Sequence, residues 1–233
     1  MKIFTSLFVG LLLVGSYTAS AQTADEIMAK HIEAMGGKEK MDALKSVRMT
    51  GNMTAQGTDI ALVLSKQHEV GMRMDLDIMG SANYQVVNNK TGWGFFPVMG
   101  MTEAKEMEAD QYKGAVSQLD VQGALYNAEA KGNKVDYEGI VKVDGADAYK
   151  LDVKYKNGNK ATYFIDVKTN RHVKTIIKAK MNGTDSEMET TFSDFKQNAN
   201  GYWFPYTITN SQGTISFDNI ETNVTLAPTL FDN

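Results

Sequence analysis

From Val47 onward the sequence alternates apolar and polar residues with a period of two, and turn dipeptides interrupt that alternation at hairpin spacing. No other feature limits the fold as strongly. In "GMRMDLDI" Met72, Met74, Leu76 and Ile78 fall on one side, and Arg73, Asp75 and Asp77 on the other. "YKLDVKYK" opposes Tyr149, Leu151, Val153 and Tyr155 to Lys150, Asp152, Lys154 and Lys156. "HVKTIIKAKM" sets Lys174, Lys178 and Lys180 against Val173, Ile177, Ala179 and Met181. These segments read as strands with one wet face and one apolar face. Asp144-Gly145, Asn157-Gly158, Asn182-Gly183, Asn200-Gly201 and Gln212-Gly213 separate them, so neighbouring strands run antiparallel.

The pattern predicts five strands between Val47 and Val98 and about seven between Lys134 and Val224. Between them, over roughly 102–128, the alternation lapses, and Glu103 to Gln111 with Val116, Leu119 and Leu125 suits one or two irregular helices. Ahead of the sheet, "TADEIMAKHIEAMGG" carries a T-x-x-E capping box at Thr23 and Glu26. Ile27, Met28, Ile32 and Met35 share one helical face there, and Gly36-Gly37 supply the stop. A second short turn, Lys38 to Ser46, places Met41 and Leu44 together. The chain is therefore mainly β (α+β), and a sheet this large must close, fold into a sandwich or cover its apolar face with the helices.

Met1-Lys2, the apolar run Ile3 to Val14 and the small-x-small Ala19-Ser20-Ala21 make residues 1–21 a secretory signal, with a mature N-terminus near Gln22. The apolar run is shorter than the ~20 residues a spanning helix needs. With no cysteine, neither a lipid-modified N-terminal cysteine nor a disulfide framework can form. Residues 22–233 carry no linker or repeat and are expected to form one domain, exported to a bacterial periplasm. Removing the signal takes away one lysine and no acid, moving the formal charge from −4 to −5, which argues against nucleic acid or an anionic membrane surface as the main partner.

Chemistry-bearing motifs are sparse. His31, His68 and His172 lack metal-ligand spacing and read as solvated or capping residues. No G-x-S-x-G, cysteine nucleophile or phosphate loop occurs, so no enzyme activity, metal or cofactor is expected.

Two greasy ribbons stand out instead. "NNKTGWGFFPVMGM" puts Trp93, Phe95, Phe96, Val98, Met99 and Met101 on a Pro/Gly-punctuated stretch, and "NGYWFPYTITN" puts aromatics on both sides of a strand around Trp203 and Pro205. Pro205 cannot donate to a ladder, so an edge strand or bulge is expected there. Fourteen methionines, thirteen after removal of the signal, supply side chains that repack around guests of varying shape.

The order of elements and "NNKTGWGFFP" resemble the LolA-like family of periplasmic lipoprotein carriers, whose turn and strand of D-G-K-T-x-W-x-Y-x-P type stand at the same place. "LDVKYKNGNKATYFIDVKTNRHVKTIIKAKMNG", the opening "IEAMGGKEKMDALKSVRMTGNM" and the ending "TISFDNIETNVTLAPTLF", with an exposed Phe231, extend the likeness over most of the mature chain. The family's arginine, at a basic-proline corner between the second and third strands, has no residue-for-residue match in Lys66-Gln67-His68-Glu69-Val70-Gly71.

The resemblance implies a half-open antiparallel β-barrel of about 11–12 strands, with the N-terminal helix and a helical lid at 102–128 covering a concave apolar face. It also implies a carrier of lipid or lipoprotein acyl chains, monomeric, that meets a membrane-bound donor or acceptor protein. On that reading Met49, Met53, Leu62, Met72, Met74, Leu76, Trp93, Phe95, Met99, Met101, Ile177 and Trp203 line the cavity or its rim. The same apolar stripes equally suit an ordinary filled core, and the same scaffold suits a non-catalytic interaction or sensing domain.

Overall fold

The computed structural model describes residues 23–181 and 184–233. The signal segment, the expected N-terminus at Gln22 and the Asn182-Gly183 turn lie outside the described residues. Among the described residues no helix is long and apolar enough to cross a membrane.

The chain starts in α1 (Ala24–Met35) and α2 (Lys38–Ala43). Both halves of the capping box form: Thr23 accepts from the Glu26 amide, and the Glu26 carboxylate accepts from the Thr23 amide. Five strands follow, β1 (Ser46–Ala55), β2 (Thr58–Gln67), β3 (Gly71–Ile78), β4 (Ser81–Asn88) and β5 (Gly92–Phe95). A 3-10 turn at Pro97–Met99 leads to β6 (Lys105–Glu106), α3 (Ala109–Ala115) and a second 3-10 turn at Val116–Leu119. Seven strands complete the chain: β7 (Lys134–Val143), β8 (Ala146–Lys154), β9 (Lys160–Asp166), β10 (His172–Met181), β11 (Thr184–Gln197), β12 (Trp203–Asn210) and β13 (Gly213–Thr222). The thirteenth strand, beyond the 11–12 expected, is the two-residue β6 inside the segment read as helical. It is too short to show a period, and it pairs with Trp93 and Gly94.

All thirteen strands join one sheet in the order β6-β5-β4-β3-β2-β1-β13-β12-β11-β10-β9-β8-β7, every pairing antiparallel. β6 and β7 are unpaired edges, so the sheet is open. β12 and its Pro205 are interior to the sheet rather than at its edge; Pro205 stands opposite Phe195 of β11 and beside no β13 partner, because β12 pairs with β13 only from Thr207 onward. Gln56-Gly57 and Met79-Gly80 make the tight hairpins β1–β2 and β3–β4 with the same two positive φ values that Asp144-Gly145 adopts at β7–β8. Methionine carries no turn signature, so Met79-Gly80 could not be read from its dipeptide, whereas Gln56-Gly57 repeats the Gln-Gly pair of Gln212-Gly213.

One face of the sheet holds the alternating apolar residues. Over β7–β9 it is covered by α1, where Ile27 packs with Leu125, Tyr149, Leu151, Val153 and Ile165. Over β2–β4 it is covered by the insert, where Ala115 and Leu119 close on Met72 and Val87. The middle strands carry a third cluster around Leu62, Leu76, Phe217 and Ile220. A bulge on β13 opposite Thr50/Gly51 keeps this face in phase; a Cβ on Gly51 would lie 2.1 Å from the Ser216 carbonyl oxygen, so only glycine fits.

The opposite face of β3–β5 is covered by the C-terminal tail. Leu226 and Phe231 pack on Val86 with Tyr84 and Trp93 around them, and Asn88 Nδ2 donates to the Phe231 carbonyl at 3.1 Å. Phe231 is thus not the exposed residue the sequence suggested but 3 % exposed, because Gly71 leaves the space its ring fills.

Candidate functional site

The site candidate is the uncovered stretch of the concave face, between the α1-covered half and the insert. Strand register puts Met49, Leu64 and Met74 in one row, and Gly51, Leu62 and Leu76 in the next. Leu62 and Leu76 form a buried floor, whereas Met49, Met53 and Met74 are only half-buried. A hollow of about 840 Å³ opens there, lined by Met53, Met74, Leu76, Gln85 and Phe96 and by the β12–β13 turn from Thr209 to Thr214. A second groove, of about 650 Å³, lies between α1, residues 125–127 and Asn170. Of the methionines on this face, Met53 and Met74 line the first.

Three of the twelve expected lining residues, Met53, Met74 and Leu76, stand around this hollow, and Met49 and Leu62 share their apolar cluster without lining it. Met72 lies on the same face but is buried beneath Ala115 and Leu119 of the insert. Trp93 and Phe95 lie on the other face: Trp93 packs with the tail, and Phe95 sits 5.6 Å from the Tyr84 ring. The residue that turns into the hollow is Phe96, next in the chain and on the opposite parity. Met99 is 77 % exposed on the Pro97–Met99 turn, and Met101 follows it half-buried. Ile177 stands opposite Met188 on β10–β11, both exposed and apart from the hollow. Trp203 points away from its neighbours Tyr202 and Phe204; the Arg171 guanidinium lies 3.8 Å over its ring and 5.5 Å from that of Phe195.

The insert-covered part of the same face carries a polar group that the sequence reading missed. The apolar row of β2 runs Ile60, Leu62, Leu64 and then Lys66, which stands opposite Val47 and Met72. The signal was present, since one more step of the alternation places Lys66 on the apolar face. Its ammonium makes no hydrogen bond or ion pair among the described residues, and burial pushes its pKa down to about 8 against the opposing pull of Asp120. Asp120 already holds Lys131 Nζ at 2.7 Å and lies 3.5 Å from His68 Nδ1. Behind them Tyr155 and Tyr163 share a 2.6 Å hydroxyl contact, and burial raises both pKa values.

The sequence suggested solvated or capping histidines, and none of the three is exposed. His31 Nδ1 lies 2.9 Å from the Asn170 carbonyl oxygen, fastening α1 to the β9–β10 turn. His172 is enclosed between Tyr163 and Phe192 at ring separations of 4.5 and 4.6 Å, and burial lowers its pKa to about 3. His68 stands beside Asp120.

No family model and no curated protein matches the sequence. Solved structures do. A LolA superfamily protein from Nitrosomonas europaea aligns with a TM-score of 0.58 at 12 % identity, over 91 % of this chain and 99 % of that one. A DUF1329 family protein from Desulfovibrio piger aligns with a TM-score of 0.57 at 13 % identity, over 91 % and 98 %. A domain assigned to outer membrane lipoprotein-sorting proteins, from Vibrio parahaemolyticus, gives 0.50 at 16 % identity, over 88 % and 97 %. The shared feature is the fold, mostly β, with an open antiparallel sheet and few helices.

Proposed function

We propose that this chain is a periplasmic carrier that holds the apolar chains of a lipid or of a lipoprotein in the concave hollow. The observation behind the reading is that Met53 and Met74 stay half-buried in one lining with Phe96, over a floor that is itself closed. A finished core buries such residues; a site for an apolar guest leaves them waiting, on side chains that adapt to its shape. The expected export signal and the lipoprotein-sorting neighbours fit the same reading.

The energetics are compatible with reversible carriage. Burying ten methylenes yields about 8 kcal/mol at ~0.8 kcal/mol each before association costs, which limits binding to about micromolar.

The test is a paired measurement of hydrophobic-probe affinity and thermal midpoint for Met74→Glu and Asp75→Asn. Met74 faces the hollow, while Asp75 lies on the opposite face in a 2.8 Å ion pair with Arg73. A carboxylate at 74 stays hydrated in the empty hollow but must be desolvated when a guest enters, so Met74→Glu should abolish binding and leave the fold largely intact. Unchanged probe affinity in Met74→Glu, or a collapsed thermal midpoint, would refute the reading.

A further inference from the structure

Gln85 interrupts the apolar wall of the hollow. The row that runs Met49, Leu64 and Met74 continues on β4 with Gln85, which stands opposite Met74 on one side and Gly94 on the other. The Phe96 ring takes the space above Gly94, where a Cβ would lie 3.0 Å from it, so the Gln85 side chain is set between a methionine and a phenylalanine of the lining. The fold makes no use of this carboxamide. Asn83, two residues earlier on the same face of β4, is buried and employed internally: its Nδ2 donates to the Ser81 carbonyl at 2.7 Å, and its Oδ1 accepts from the Val98 amide at 3.3 Å. Gln85 makes no such side-chain bond among the described residues and stays half-buried at the wall of the hollow.

The remaining lining has one chemical character. Apart from its methionine, leucine and phenylalanine, it consists of Thr54, Gln56, Gln85 and the β12–β13 turn from Thr209 to Thr214, a set of hydroxyls and carboxamides around one glycine. Among the described residues none that lines the hollow carries a charge. The Asp59 carboxylate accepts from Thr54 Oγ1 at 2.7 Å but is itself outside the lining. An ionic head entering here gives up its water without meeting a counter-charge. A guest with no polar group strips the water from Gln85 and leaves its donors and acceptor unmade. A head that is polar and uncharged avoids both losses.

We propose that the hollow selects amphiphiles whose polar head is uncharged and hydrogen-bonding, such as a fatty ester of a polyol, and that Gln85 is the residue that reads this head. The proposal rests on the carrier reading and narrows its guest. A carboxamide offers two N–H donors and a carbonyl acceptor at one point, which matches a head that pairs a hydroxyl with an ester carbonyl. The hydroxyl and amide side chains of the Thr209 to Thr214 turn meet the rest of the head where the hollow opens. The methionines and Phe96 take the chain.

The experiment is displacement of N-phenyl-1-naphthylamine, a neutral fluorescent probe, from the full chain at neutral pH. The competitors are the dodecanoyl ester of glycerol, dodecanoate and dodecyltrimethylammonium, each kept below its micelle-forming concentration, in wild type, Gln85→Met and Gln85→Glu. The wild type should bind the ester tighter than either ion by about tenfold or more. Gln85→Met should weaken the ester by about tenfold and leave both ions as they were, and Gln85→Glu should raise the cation above the ester. Equal displacement by all three in the wild type, or tighter binding of an ion, overturns the selectivity and leaves the carrier reading standing. An ester preference that a folded Gln85→Met keeps in full does the same. If the probe does not bind the wild type, or none of the three displaces it, the carrier reading falls and the selectivity with it. The wild-type comparison can refute the proposal even if neither variant folds.

Discussion

Replacing Lys66 by methionine should stabilise the protein at neutral pH and erase a rise in stability that the wild type shows on going alkaline. Its pKa falls from 10.5 in the unfolded chain to about 8 in the fold, because burial strips the ammonium of water and Asp120 repays only part of that loss. The sign follows from proton counting. Below pH 8 both states are protonated and the folded state carries the whole desolvation cost. Between 8 and 10.5 the folded state releases the proton while the unfolded chain keeps it, so stability rises with pH. From pH 7 to 9.5 the gain amounts to about 2 kcal/mol, or roughly 4–8 °C in Tm for a domain of this size. Asp120, the acid acting on Lys66, also contacts His68 and Lys131, and its charge acts on Tyr155 and Tyr163. Burial raises the two tyrosines, which subtract stability only above pH 10, where the unfolded chain loses protons that the fold retains. The window from 7 to 9.5 therefore isolates the lysine. Urea melts of both proteins across that window should show a rising wild-type curve and a Lys66→Met curve that starts higher and stays flatter. Parallel curves would mean that Lys66 is solvated in the fold, and the reasoning from its burial would fail.

The tryptophans should be poor reporters of a guest: with Trp93 beneath the tail and Trp203 beneath Arg171, chain-brominated lipid should quench neither, whereas Phe96→Trp should introduce a quenchable signal. Strong quenching of wild type would place the guest on the other face. Gly71→Ala should cost about 1–3 kcal/mol, because its Cβ would come within 2.3 Å of the Phe231 ring, and urea melts should show the loss disappearing when Phe231→Ala is added. On the acid side, His172 has a folded pKa of about 3 against 6.5 unfolded, so below pH 6.5 the unfolded chain binds a proton that the fold refuses, and stability falls. The loss should reach about 3 kcal/mol by pH 4, and His172→Phe should flatten that limb of the curve in acid-denaturation fluorescence.

What the sequence revealed and what it hid divide along a physical line. Strand existence, antiparallel order and the two N-terminal helices were legible, because alternation of period two and a capping box are local properties that survive without knowing the neighbours. The assignment of a face was not local. In "GWGFFP" the parity rule correctly grouped Trp93 with Phe95, yet nothing in that stretch says which side of the sheet the pair occupies. The C-terminal tail decides it, since Leu226 and Phe231 need an apolar bed and the Tyr84, Val86 and Trp93 side of the sheet provides one. A β-strand whose two faces are both apolar can satisfy two different coverings, and the larger aromatic goes to the permanent one. The hollow receives Phe96, at the point where the strand ends before Pro97. Lys66 shows the converse: its parity was readable, but a single charge at the end of an apolar row looks like a strand end until the insert is seen to fold over that part of the sheet.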